Sequence, residues 1–152
     1  MNLNEVNNTI SQFRDQYSEI KQKGQELIKA LNKEFTKEPI SKLISDVVLS
    51  DFMLTFNFLG KTFYAETVIL PEKPLKLKSD GAMVTYTKTK LGSIDKTFLI
   101  CTYDRPGNFF VEGGAFTLEE FIFVYFMKLY SAVRFHIAAN DSGSEFIPLS
   151  AI

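Results

Sequence analysis

From Asp51 to Val111 the chain reads as successive segments of period-two hydrophobicity, with no helical spacing between them. That pattern constrains the fold more than any other feature. Strands that follow one another without an intervening helix pair as an antiparallel meander, because a parallel connection needs a crossover of a dozen or more residues. Phe52, Leu54, Phe56 and Phe58 fall on one side of the first segment, and Met53, Thr55 and Asn57 on the other. Gly60-Lys61 turns the chain into a second strand, Thr62 to Leu70, after which Pro71 and Pro74 interrupt pairing. Asp80-Gly81 is a hairpin signal opening the strand Ala82 to Lys88. A loop at Gly92 leads to Lys96–Asp104, and Arg105-Pro106-Gly107-Asn108 has type II turn chemistry before a short strand through Val111.

Helical spacing flanks the sheet on both sides. Leu3, Val6, Ile10, Phe13, Tyr17 and Ile20 alternate steps of three and four, and Leu27 and Leu31 continue the register. A helix over residues 1–38 follows, stopped by Pro39, with a short second helix in which Ile40, Leu43, Ile44 and Val47 share a face. Thr117-Leu118-Glu119-Glu120 is a capping-box pattern for a last helix over 117–139. That helix is apolar over most of its circumference, with Phe123 and Met127 interrupting its one polar sector, and such helices are buried on more than one side. Lys128 near its midpoint and Arg134 argue against a membrane span. Asn140-Asp141-Ser142-Gly143-Ser144 is a hinge, and residues 145–152 are too apolar for a solvated tail, so they dock on an edge or groove. The expected fold is α+β: one domain of 152 residues, with a five- to six-stranded antiparallel meander (51–112) curved around the buried last helix.

Composition narrows the function classes. Fourteen Lys but only three Arg, with a net charge of −1, give neither the basic excess nor the bidentate donors of a nucleic-acid reader. Lysines 73, 76, 78, 88, 90 and 96 cluster around Tyr86, which a solvated sheet edge explains with fewer assumptions than single-stranded nucleic acid does. A single Cys101 forms no internal disulfide, and the first residues lack a basic region followed by an apolar run. A soluble cytoplasmic protein is the expectation.

Candidate chemistry is sparse. One His and one Cys are too few for a zinc or iron site, and no clustered Asp spacing suggests magnesium, so no metal or cofactor is expected. Cys101 lies mid-strand in an apolar run, without the electropositive setting of a reactive thiol, which weakens a Cys101–His136 dyad. His136, on the apolar side of the last helix, reads as a structural histidine before a catalytic one. Gly60-Lys61-Thr62 lacks the upstream Gly of a phosphate loop, and a strand follows it. Gly113-Gly114 precedes a helix N-terminus, where anions bind, but Glu119 and Glu120 already complement that dipole.

Elimination leaves a non-catalytic protein-binding factor, of the kind an inhibitor, immunity protein or secretion chaperone represents. Its candidate contacts are Phe13 and Tyr17 on the first helix and Phe146, Ile147 and Leu149 in the tail. Its partner is another protein, with a homodimer as one option; Gln16, Lys21, Lys23 and Ile28 flank the first helix's seam and select no parallel pairing. The alternative is a small-ligand protein or enzyme whose pocket between sheet and last helix gathers Tyr64, Tyr86, Tyr103 and His136.

Overall fold

The computed structural model of the chain describes residues 2–69, 81–104, 108–111, 114–134 and 147–148. Helix α1 (Leu3–Phe35) opens it. Its first turn is closed by a reciprocal capping box in which the Glu5 N–H donates to Asn2 Oδ1 at 2.9 Å and the Asn2 N–H donates to Glu5 Oε2 at 3.1 Å. A 3-10 turn (Ile40–Lys42) leads into β1 (Ile44–Leu49), β2 (Met53–Phe58), β3 (Lys61–Ile69), β4 (Gly81–Lys88), β5 (Ile94–Tyr103), β6 (Phe109–Val111) and β7 (Gly114–Phe116). Helix α2 (Leu118–Arg134) and a two-residue strand, β8 (Ile147–Pro148), complete the described elements.

All pairings are antiparallel and consecutive from β1 to β7, so the meander read from the sequence is the fold. The sheet has eight strands rather than five or six. Two of the additions have a clear physical origin. Residues 44–49, of which the sequence spacing places Ile44 and Val47 on the face of a short helix, form β1: the 3-10 turn after Pro39 ends within three residues, and β-branched Ile44 and Val48 then pair with β2 on either side of a bulge. Gly114–Phe116, which the sequence pattern assigns to no strand, pairs with β6. The third, β8, sets Ile147 opposite Ile69 and Pro148 opposite Val68, extending the edge of β3 past Glu66, where β2 leaves it.

Alternation in β2 is visible in its burial: Leu54, Phe56 and Phe58 are buried, with Met53, Thr55 and Asn57 half-buried on the other face. Leu59 and Gly60 form the tight turn to β3, both with φ positive (50° and 83°), the geometry that two-residue hairpins require. One face of the sheet carries both helices. The second half of α1 crosses β1–β4, and α2 lies chiefly over β5 and β7. Leu27, Ile28, Leu31 and Phe35 of α1 and Phe121, Tyr125 and Leu129 of α2 are buried there with the strand residues Phe56, Phe63 and Tyr103. The core therefore belongs to two helices, not to the last one alone. Fully burying each large side chain contributes about 1.5–3 kcal/mol, so the α1 contacts are integral to stability.

The stripe on α1 is not buried along its whole length. Among the described side chains, Ile20 is the first that is buried; Leu3 is 74% and Val6 36% exposed. At 1.5 Å per residue the 33-residue helix is about 50 Å long, and its described side chains before Tyr17 are exposed.

Candidate functional site

Where the last turns of α1 meet the first turns of α2, the surface folds inward into an open cleft of about 430 Å³. Its apolar lining comes from Ala30, Ile40, Leu118, Ile122 and Phe126. Thr117 fixes the α2 wall: its hydroxyl accepts from the Glu120 N–H at 3.4 Å and donates to the Glu120 carboxylate at 3.0 Å. The capping box read at 117–120 thus holds through its side-chain half. Lys33 and Lys37 stand on the α1 wall, where Lys37 Nζ lies 2.8 Å from Glu34 Oε1, and Glu119 stands on the α2 wall. Phe123 projects at the rim with 68% of its surface exposed, and Met127 one turn further is 44% exposed. Covering these two neighbouring side chains would remove apolar surface from water, which is favourable.

A second constellation lies on the sheet face opposite the helices, where Val68, Ala82 and Val84 are fully buried. Tyr64 of β3 and Tyr86 of β4 are direct cross-strand partners whose rings stack at 5.5 Å. The Tyr86 hydroxyl donates to Glu66 Oε2 at 2.7 Å, and Lys88 Nζ sits 4.2 Å from the Tyr64 ring centroid. Burial, reinforced by the bond to Glu66, raises the Tyr86 phenol well above its ordinary range and keeps it a donor. The carboxylate is consumed by the phenol and the ammonium by the ring, so the group is a closed network rather than a reactive one.

The sequence-derived candidates separate in space. Tyr64 and Tyr86 are together on the outer face. Tyr103 is on the helix face, 2% exposed, with its hydroxyl donating to the Ile20 carbonyl at 2.9 Å. The space between sheet and α2 beside it is filled by Phe109, Phe121 and Tyr125, with the Tyr125 and Thr85 hydroxyls 2.7 Å apart. His136, Phe146 and Leu149 lie outside the described residues, as do Lys73, Lys76 and Lys78. Phe13 belongs to α1, but its side chain is also outside that set; Tyr17 is half-buried against the core, and Ile147 is placed only by its backbone pairing.

Cys101 is buried on β5, and burial pushes its thiol up to about 12. A thiol held neutral in an apolar strand is a packing group. Every buried side-chain nitrogen and oxygen among the described residues has a hydrogen-bond partner, and no helix among them is long and apolar enough to cross a membrane. Comparison with protein-family models, curated proteins and solved structures finds no match to this chain.

The α1–α2 cleft escaped the sequence reading because its walls lie almost ninety positions apart. One signal for it existed: Phe123 and Met127 interrupting the polar sector of the last helix.

Proposed function

We propose that this protein is a non-catalytic binding factor that holds a partner protein at the α1–α2 cleft. The observation that carries the reading is Phe123, two-thirds exposed at the rim of an apolar-floored cleft. Clefts of this kind take one or two large anchors from an amphipathic helix, and a central aromatic contact dominates the energetics of such docking. Lys37 on the first wall is already paired with Glu34, so Lys33 on that wall and Glu119 on the other are the charges left to orient a partner's flanks. Inhibitors, immunity proteins and chaperones act through contacts of this sort, without a reacting group of their own. The buried, protonated thiol of Cys101 and the self-satisfied Glu66–Tyr86 pair support a non-catalytic role. A small-molecule site would enclose most of its ligand, whereas this cleft is open.

Placing a photoreactive phenylalanine analogue at Phe123, in cells that produce the protein naturally, tests the reading. A discrete protein adduct at this position is expected, with none from the same analogue at Leu91, which is 96% exposed on the β4–β5 turn. Adducts that are absent at Phe123, or alike at both positions, would refute the cleft.

A further inference from the structure

The hairpin between β4 and β5 stands clear of the packed body of the chain. Every residue from Lys88 to Lys96 is exposed, whereas Tyr86 and Thr97 at its base are buried. Leu91 at the summit is 96% exposed and Ile94 45%. The tip is nevertheless a built turn. The Thr89 N–H donates to the Ser93 carbonyl at 2.8 Å, the Gly92 N–H to the Thr89 carbonyl at 3.0 Å, and the Ser93 N–H to the Thr89 hydroxyl at 3.3 Å. Gly92 supplies the positive φ, 88°, that closes the loop. Leu91 is the middle residue between Thr89 and Ser93, and below it Ile94 lies opposite Lys88 in the ladder.

Charge is segregated at the same place. Lys88, Lys90 and Lys96 against Asp95 give the tip a charge of +2 in a chain whose net charge is −1, so the remainder carries −3. Lys88 Nζ rests 4.2 Å from the Tyr64 ring centroid, so Lys90 and Lys96 are the cations an approaching surface would meet first.

We propose that the β4–β5 tip is a membrane-docking wedge, which sets Leu91 and Ile94 into the boundary of an anionic phospholipid surface with Lys90 and Lys96 at the headgroups. A protein pocket fits the tip less well, because interface anchors are enriched in Trp, Tyr and Arg, whereas this apex is a lone aliphatic side chain flanked by lysines. A lipid surface asks for no complementary shape. It asks for apolar side chains at the apex, and for cations whose methylene stems follow the apex inward while the ammonium stays with the phosphates. It also asks that backbone groups be satisfied before they leave water, as the Thr89, Gly92 and Ser93 amides are within the turn. The negative remainder of the chain is repelled by the same surface, so the tip is the part presented to it.

The inference does not rest on the cleft, since Leu91 would meet lipid where Phe123 meets protein. Flotation of the full chain with vesicles tests it. The chain should float with vesicles of equal parts phosphatidylcholine and phosphatidylglycerol and not with phosphatidylcholine alone, and less as salt rises. Leu91→Ser should weaken binding by about tenfold. Lys90→Gln combined with Lys96→Gln should weaken it by about thirtyfold. These positions are exposed, so the far-ultraviolet spectrum should not change. The chain contains no Trp, so Leu91→Trp gives a single reporter whose emission should move to the blue and escape acrylamide quenching with the anionic vesicles only. An unmodified chain that does not float with anionic vesicles overturns the inference, as does equal flotation with both compositions. Flotation undiminished by Leu91→Ser but abolished by Leu3→Ser would move the contact to α1 and overturn it. A discrete protein adduct from a photoreactive residue at 91 would assign the tip to a protein and overturn it as well.

Discussion

Gly81 opens β4 directly opposite Tyr103 of β5, and a methyl group built on Gly81 would fall inside the Tyr103 ring. The glycine is needed for space. With no side chain at 81, the tyrosine lies flat across its neighbour strand, and its hydroxyl reaches the Ile20 carbonyl at 2.9 Å, tying α1 to the sheet. Gly81→Ala therefore forces the ring out of its place. Overpacking of a buried site costs about 1–3 kcal/mol and the lost hydrogen bond about 0.5–1.5, so a loss of about 2–4 kcal/mol is expected. At about 2–4 °C per kcal/mol for a chain of this length, the melting temperature should fall by about 4–16 °C. Tyr103→Leu alone leaves a cavity and should cost about 2–4 kcal/mol. In the double variant the alanine methyl occupies the vacated space, so the losses should fall short of additivity by at least about 1 kcal/mol. Urea unfolding of the four proteins measures all terms. A Gly81→Ala protein within about 0.5 kcal/mol of the parent, or strict additivity, would refute the steric account.

Two further outcomes follow from the same core. Burial raises the Cys101 thiol from 9.0 to about 12, so the folded state keeps a proton that the unfolded chain has released at intermediate pH. Stability is then full below about pH 9 and lost as pH rises toward 12, with Tyr103 and Tyr125, also raised by burial, adding to the fall; Cys101→Ala should show a shallower decline in urea unfolding between about pH 8 and 10.5. Removing residues 145–152 deletes β8 and uncovers the edge of β3; the Thr67 N–H points to the β2 side, so the Ile69 N–H two residues on faces β8 and its hydrogen exchange should accelerate, and exchange unchanged by the truncation would show that β8 protects nothing.

Legibility followed the range of the interaction. The meander was readable because Phe52 to Phe58 alternates on a local period, and the strand–turn–strand order leaves no room for a crossover. The last helix was readable from Thr117 to Glu120. Residues 40–47 misled because Ile40, Leu43, Ile44 and Val47 satisfy a helical spacing, while the strand they join is decided by pairing with Phe58 and Asn57, outside any local window. Gly114–Phe116 is three residues long, too short for a period to register. The N-terminal stripe was continuous in sequence from Leu3 to Leu31, yet burial begins only at Ile20 among the described side chains. Periodicity reports which face of a helix is apolar, not how much of that face its own domain can cover.

The placement of polar groups explains why function is sought at the ends of this molecule rather than at its centre. Each group suited to chemistry in the described interior is already engaged: Glu66 by the Tyr86 phenol, Tyr103 by the Ile20 carbonyl, Tyr125 by Thr85, and Cys101 by burial. Among the described residues, exposed apolar side chains include Phe123 and Met127 at the rim of the α1–α2 cleft and Val47, Val48 and Leu49 on β1, besides Leu91 and Ile94 about the β4–β5 turn and Leu3 on α1. The cleft and β1 adjoin, because Phe126 of the cleft packs edge-on against Phe58 at 5.9 Å and Phe58 pairs with Ile44 at the start of β1.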